Sequence, residues 1–323
     1  MPRVGVEPTL LLRELDFESS ASANSAIRAI QSGINGRPAD IEVNAFFRLQ
    51  RARWESSLAS SRRPFEAPGL MSDFRAYCQP AEREPSELRL SADESHHLVA
   101  VNRAQTGDTV VAFDGRGNEW ICELLGDQKH AAVLKVRFRQ KAKPLPYEIT
   151  LGQALPKGQS MDAIVRKATE LGAARIVPLE SERTIVRLEG DRTDRKIEKW
   201  QAAAIEAAKQ CGNPFVPEIL PVQSAAAFME ASRGYDLKLI ASLQPGAKSL
   251  KGLLAAFITA NGRAPRTALW LVGPEGDFTA AEMSLSRSTG FEPVTLGPLV
   301  LRCETAAAYA LSVLSYELQN AAG

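Results

Sequence analysis

No uninterrupted apolar run in the 323-residue chain approaches the ~18–20 residues of a membrane span, so the reading is of a protein without membrane association. Cysteine is sparse: Cys78, Cys122, Cys211 and Cys303 lie far apart and form no CxxC pair. That argues against a zinc cluster and for free thiols in a reducing compartment, which places the expected site of action in the cytoplasm. His96, His97 and His130 are too few and too clustered for a metal site, and none is assigned. Several phosphate-binding and nucleophile signatures are missing. There is no GxGxxG after the first strand of the α/β part, no GxxxxGK[ST], no GxSxG elbow and no kinase set. Dinucleotide dehydrogenases, P-loop NTPases and α/β-hydrolases are therefore disfavoured. The net charge of +1 conceals any local basic patch and decides nothing about nucleic acid. What remains is ordinary globular composition, 45% hydrophobic and 24% charged, in a chain long enough for two domains.

The most informative stretch is Thr267–Gln319. Two apolar runs, Leu269–Val272 and Val294–Leu296, each end in a Gly-Pro loop that delivers the chain into a helix. Pro makes such a loop rigid and Gly allows close approach. Rigid loops at the carboxyl ends of neighbouring parallel strands are where open α/β sheets bind small molecules. Two ordinary strand-to-helix connections are the competing reading of the same residues.

Residues 1–70 differ from the rest. They hold nine Arg, no Lys and eight Asp or Glu, with much Ser and Ala and no sustained period. That is too acidic for a transit peptide and has no apolar h-region for secretion. The expectation is a disordered segment, or an upstream extension before a natural start at Met71.

Residues 71–143 read as short strands with tight turns, the pattern of a small β-barrel. Phe74–Cys78 alternates. Leu88–Ala104 runs from a strand through a Ser91 cap into a short helix, with Glu94 at capping-box spacing. Residues 106–126 form a hairpin around DGRGN. In the last strand Lys135, Arg137, Arg139, Lys141 and Lys143 fall on every second residue. If the strand persists, all five cations point one way about 6.6 Å apart, a row suited to phosphates of RNA or DNA. A charged edge strand that blocks aggregation is the alternative.

Lys143-Pro144-Leu145-Pro146 is a linker, since two prolines cannot continue a ladder. Beyond it strands and helices alternate, the mark of an α/β domain at 147–323. The strands are expected at 148–155, 175–181, 237–243, 268–273 and 293–297. Between them, Met161, Ile164, Ala168 and Leu171 form a helical stripe with Ser160 as cap and Gly172 as stop. Ile197, Trp200, Ala204 and Ala208 form another. Thr279–Glu282 is a capping box, Gly290 ends that helix, and Glu304 opens the last one, where an acid suits the dipole. The segment 180–196 carries Arg183, Arg187, Arg192, Arg195 and Lys196 and is either a solvated loop or an RNA-facing one.

Four separated segments in order, QALPKGQSMDAIVRKATELGAARIVPLESERT, KWQAAAIEAAKQCGNPFVPEI, LVGPEGDF and LGPLVLRCETA, resemble the ribosomal RNA small subunit methyltransferase E (RsmE) family, of the SPOUT class. DESHHLVAVNRAQTGDTVVAFDGRGNEW resembles that family's PUA-like barrel. The resemblance runs from about Ser72 to the C-terminus. It implies an α/β fold: a SPOUT trefoil-knotted methyltransferase domain, its C-terminal segment threaded through a loop, preceded by a small PUA-like β-barrel. It implies S-adenosylmethionine as cofactor, 16S rRNA of the small ribosomal subunit as partner, N3 of one uridine as acceptor, and a homodimer. Its cofactor contacts fall on Ser242, Leu243 and Gln244, on Val272, Gly273, Pro274, Glu275 and Gly276, and on Leu296, Gly297, Leu299, Leu301 and Arg302. RNA contacts are assigned to Lys135, Arg137, Arg139, Lys141, Arg183 and Arg187. Arg302 and Glu304 are the catalytic candidates. Arg302 would stabilise negative charge on the uracil or hold a phosphate, or else pair with Glu304. Glu304 would act as base or as a structural cap, the cap being favoured by its helix position. Glu275 would accept from ribose hydroxyls or cap a backbone turn. Asp277 stands where Gly is frequent, Cys303 where Thr is usual and Asn213 where Arg is often found. An RNA-binding protein without catalysis, and a transfer RNA methylase of the same fold, are the other readings.

Mass spectrometry of the natural protein is expected to yield no peptide from within residues 1–70; recovery of one would overturn the start at Met71.

Overall fold

The alternation of apolar strands and amphipathic helices expected after Pro146 is what the computed structural model contains. It describes residues 74–80, 84–126, 128, 130–186, 190–244 and 246–321. The expectations for residues 1–70 and for Arg187 lie outside the described residues. Met71–Gly323 forms one compact unit.

Among the described residues the chain builds two sheets. The first has strands β1 (Phe74–Tyr77), β2 (Glu87–Arg89), β3 (Thr109–Phe113), β4 (Asn118–Gly126) and β5 (Val133–Lys141), in the order β1-β3-β4-β5-β2. β3 and β4 form the expected antiparallel hairpin. Helix α1 (Ala92–His96), continued by a wider turn over His97–Val101, closes one side. Ser91 caps it by accepting from the Glu94 N–H at 3.2 Å, but Glu94 does not return the bond. Its carboxylate instead accepts from the Tyr77 N–H at 3.0 Å and from Lys209 at 2.9 Å.

The cation row of β5 does not survive. The register steps from Cys122↔Val136 to Ile121↔Phe138, so Arg137 is the extra residue of a β-bulge. Paired residues share a face, and a bulge reverses the alternation. Lys135 therefore stands opposite Glu123, while Arg139 and Lys141 stand opposite Trp120 and Asn118 on the other face. Arg137 is bonded to Glu123, with Nε donating at 2.9 Å. Arg139 donates to Asn118 at 3.0 Å and lies over the Trp120 ring at 5.9 Å. The expected row of five cations on one face becomes two pairs on opposite faces, Lys135 with Arg137 and Arg139 with Lys141, and Lys143 lies beyond the end of β5.

The second sheet comprises β6 (Glu148–Ala154), β7 (Arg175–Glu180), β8 (Glu218–Ile219), β9 (Gln223–Ser224), β10 (Leu237–Ala241), β11 (Thr267–Val272) and β12 (Glu292–Val294). The order is β12-β10-β11-β6-β7-β8, with β9 also on β7, and every pairing is parallel. Five of these strands match their expected spans to within three residues. Helices α2 (Ser160–Glu170), α3 (Asp191–Cys211), α5 (Leu250–Asn261) and α7 (Cys303–Ala321) pack one face. Helices α4 (Ala225–Ala231) and α6 (Ala280–Ser288) pack the other. Central strand β11 serves both cores by alternation: Ala268, Trp270 and Val272 point to the first, Leu269 and Leu271 to the second. Gly152 in β6 leaves room for Leu271, whose Cδ2 would lie 2.4 Å from an added Cβ and would have to move. The cap of α2 is Gln159 rather than Ser160, which is already helical. Gly172 stops that helix at φ +78 as expected, and Thr279 with Glu282 forms the reciprocal capping box.

The hairpin turn of the first sheet docks on the second lobe through backbone. The Gly117 N–H donates to Pro214 O at 3.1 Å and the Val216 N–H to Gly115 O at 3.0 Å. Beside this seam, Lys209 of α3 is buried between Glu94 and Glu206 with His97 Nδ1 at 3.3 Å. A lysine so enclosed needs both carboxylates, because one ion pair rarely offsets its desolvation.

Gly117→Ala is expected to cost about 2–3 kcal/mol, from a left-handed φ of +88 and a Cβ 2.6 Å from the Phe215 ring. Gly107→Ala, at φ +96 in open space, is expected to cost only about 1 kcal/mol. Urea unfolding of both variants checks this, and equal losses would contradict the seam.

Candidate active site

The carboxyl ends of β10, β11 and β12 lie side by side, and the loops that follow them enclose a cleft open to solvent. Its walls include Ser242 and Leu243 after β10, then Val272 at the end of β11 and Gly273, Pro274 and Glu275 after it. Leu296, Leu299 and Leu301 come from the loop after β12. Nine of the residues expected at the cofactor are thus brought together. Gln244 and Gly297 line an adjoining depression with Ser242 and Leu243. Gly276 and Arg302 are not among the residues lining either space. The lining also includes Ala241, Asp277, Val300, Cys303 and Ala306, which sequence reasoning did not assign to the site. The signal for Cys303 and Ala306 was available: they open the helix that follows the second Gly-Pro loop.

The β11 turn is held from three sides. Pro274 O accepts from the Asp277 N–H at 2.9 Å, closing a β-turn. Glu275 Oε1 accepts from the Lys157 N–H at 2.9 Å, so the carboxylate caps the loop between β6 and α2. Arg183 Nη1 donates to Gly276 O at 2.7 Å. Behind the turn, the buried carboxylate of Glu282 accepts from the Thr279 N–H and the Glu182 N–H, both at 2.9 Å, at the positive end of α6. Asp277 has φ +60, a left-handed conformation that glycine adopts at no steric cost. Its Oδ1 accepts from the Phe278 N–H at 2.8 Å.

The β12 loop differs. Thr295 Oγ1 accepts from the Gly297 N–H at 3.1 Å, and Gly297 has φ +105. The backbone of Leu299, Val300 and Leu301 then makes no hydrogen bond among the described residues, and Leu299 and Val300 are exposed by 71% and 85%. The loop β10–α5 is laced to β12 by the Ser242 N–H on Val294 O at 2.9 Å and the Lys248 N–H on Pro293 O at 2.8 Å.

Arg302 is exposed and its carbonyl starts α7 by accepting from the Ala306 N–H at 2.8 Å. No salt bridge joins it to Glu304 among the described residues. Glu304 is half-buried in the first turn of α7. Burial, reinforced by the charges of Glu275 and Glu304, pushes the Cys303 thiol up to about 11. Both carboxylates therefore act on the floor of the cleft. Of the expected RNA contacts, Arg183 is on the β11 turn, whereas Lys135, Arg137, Arg139 and Lys141 belong to the first sheet.

The cleft offers what an adenine nucleoside uses: apolar walls from Leu243, Leu296, Leu299 and Leu301, and free backbone N–H and C=O groups on one rim. No helix among the described residues is long and apolar enough to cross a membrane.

The chain is similar to known proteins in sequence and fold. A family model described as "RNA methyltransferase domain" matches residues 143–315, and one described as "RNA methyltransferase PUA domain" matches residues 90–137. The ribosomal RNA small subunit methyltransferase E of Bacillus subtilis is 32% identical over 246 residues, 75% of this chain and 94% of that protein. A Legionella pneumophila protein solved in complex with the cofactor SAM superposes with a TM-score of 0.68 at 32% identity, covering 76% of this chain and 97% of that one. The Neisseria gonorrhoeae ribosomal RNA small subunit methyltransferase E, crystallised bound to S-adenosyl methionine, gives 0.66 at 28% identity, covering 75% and 97%.

With its pKa near 11, the Cys303 thiol is about one part in a thousand thiolate at pH 8, whereas Cys211 is exposed. Titration with a disulfide reagent is expected to show one fast thiol that Cys211→Ser abolishes. A second fast thiol lost in Cys303→Ser would contradict the closed floor.

Proposed function

Since this chain belongs to the ribosomal RNA small subunit methyltransferase E family, we propose that it methylates N3 of one uridine in 16S rRNA, using S-adenosylmethionine. The observation that carries this reading is the cleft between two Gly-Pro loops at the carboxyl ends of β11 and β12. When bound there, S-adenosylmethionine supplies an electrophilic methyl group on a sulfonium. The reaction forms an N3–C bond, breaks the S–C bond and releases the N3 proton. Such a transfer asks the protein mainly for alignment, which rigid loops provide.

Backbone groups of Leu299–Leu301 hold the adenine edge, and Ser242 and Leu243 with Val272–Glu275 form the opposite wall, with Gln244 in the adjoining depression and Gly276 supporting the turn from behind. Leu296 and Gly297 shape the rim. Glu275 keeps that wall in place through the Lys157 amide. Arg302, exposed beside the cleft and unpaired with Glu304, stabilises negative charge on the uracil as the N3 proton leaves. Glu304 is the nearest carboxylate in sequence that could take that proton, although the helix N-terminus favours its ionised form and weakens it as a base.

Residues 71–143 serve as the RNA-gripping domain and 147–323 as the methyltransferase domain. Lys135 and Lys141 make no ion pair among the described residues and stand on opposite faces of β5, so each is a separate phosphate contact in this reading; Arg137 and Arg139 are already engaged within the sheet. The chain works in the cytoplasm as a homodimer. Tyr309 and Tyr316 support pairing, being exposed seven residues apart on one side of α7.

Small subunits from a strain lacking this gene, incubated with the enzyme and labelled S-adenosylmethionine, are expected to yield label in N3-methyluridine alone. Label in another nucleoside, or in transfer RNA instead, would contradict the assignment. Arg302→Ala is expected to lower kcat by about 100-fold or more, with affinity for S-adenosylhomocysteine within about threefold of wild type. Near-normal turnover would remove Arg302 from the chemistry.

A further inference from the structure

Arg183 was expected to face RNA, and the structure places it on the cofactor turn. The loop that carries it is fixed: the Thr184 N–H donates to Ser181 O at 3.1 Å, the Ser181 N–H to Thr184 Oγ1 at 3.0 Å, and the Glu182 N–H to Glu282. From this base the side chain crosses to Gly276. A methyl added at Gly276 would touch Arg183 Cβ and Cδ at 3.4 Å, so the stem packs on that residue, and Nη1 reaches its carbonyl at 2.7 Å. A guanidinium has five N–H donors in a planar fork, and this contact uses one. The side chain is exposed and makes no ion pair among the described residues.

We propose that Arg183 couples RNA binding to the cofactor cleft. One edge of its guanidinium holds the Gly276 carbonyl while the remaining donors take a backbone phosphate of RNA seated over the cleft. The inference rests on the methyltransferase reading above. A phosphate that orients the guanidinium thereby fixes the β11 turn, and a bound cofactor that fixes the turn orients the guanidinium for phosphate. Each ligand then tightens the other by the same factor, as linkage requires. Lysine is no substitute: its single ammonium is a point charge without the two-edged fork. This makes Arg183 a positioning residue for the cofactor as well as an anion contact.

The test measures S-adenosylhomocysteine affinity by equilibrium dialysis, with and without saturating unmethylated small subunits, for wild type, Arg183→Ala and Arg183→Lys. The subunits are expected to tighten binding to wild type by about 5–20-fold. In Arg183→Ala that ratio is expected to fall to within about twofold of one. Arg183→Lys is expected to bind subunits better than Arg183→Ala without restoring the ratio. A ratio near one in wild type, an unchanged ratio in Arg183→Ala, or full restoration by lysine would each overturn the proposal. Failure of wild type to bind S-adenosylhomocysteine under any condition would instead overturn the cofactor assignment on which it rests.

Discussion

The turn from Pro274 to Asp277 is held by groups far away in the chain, and the cleft exists because of it. Lys157 offers its amide to Glu275, Arg183 its guanidinium to Gly276, and Glu282 anchors the start of the next helix while fixing the loop that bears Arg183. Three strands thus contribute to one turn: β6 through Lys157, β7 through Arg183, and β11 itself. A wall braced this way has part of its ordering done before a ligand arrives, and the exposed Arg183 brace is the part left for RNA to tighten. The opposite rim, Leu299–Leu301, has no such braces and leaves its backbone groups free. One side of the cleft is therefore a template and the other supplies donors and acceptors.

A second constraint ties this cleft to the β-barrel lobe. Backbone bonds from Gly117 to Pro214 and from Val216 to Gly115, together with the enclosed Lys209, make a seam of directional contacts rather than a flexible tether. An RNA gripped by the first sheet would consequently meet the cleft at a set distance and angle. Positioning matters most where the protein has little covalent chemistry to perform.

The strands of the α/β lobe were legible because a strand buried on both faces reads as a continuous apolar run, as in Leu269–Val272. Capping was legible where both partners lie within one turn, as for Thr279 and Glu282; at Ser91 the cap was legible but not its reciprocal bond, because Tyr77 and Lys209, remote in the chain, take the Glu94 carboxylate. The loops of the cleft were legible through glycine and proline, and through the resemblance of four motifs to one family. What the sequence concealed depends on partners remote in the chain. The bulge at Arg137 arises from the pairing of β5 with β4, which periodicity in β5 alone cannot reveal. The contact between Arg183 and Gly276 spans 93 residues, so a crowded arginine loop read equally as solvated or RNA-facing. Ser160 lost its capping role because the helix begins one residue sooner, at a boundary that local spacing specifies weakly.

The central claim is that the two Gly-Pro loops after β11 and β12 together enclose one S-adenosylmethionine. The most direct measurement is a crystal structure of the protein grown with that nucleotide. The account requires its density between Gly273–Glu275 and Leu299–Leu301, with the adenine edge hydrogen-bonded to the latter backbone and the methyl group turned toward the side of Arg302. Density elsewhere on the molecule, or a ligand touching one loop and not the other, would contradict it.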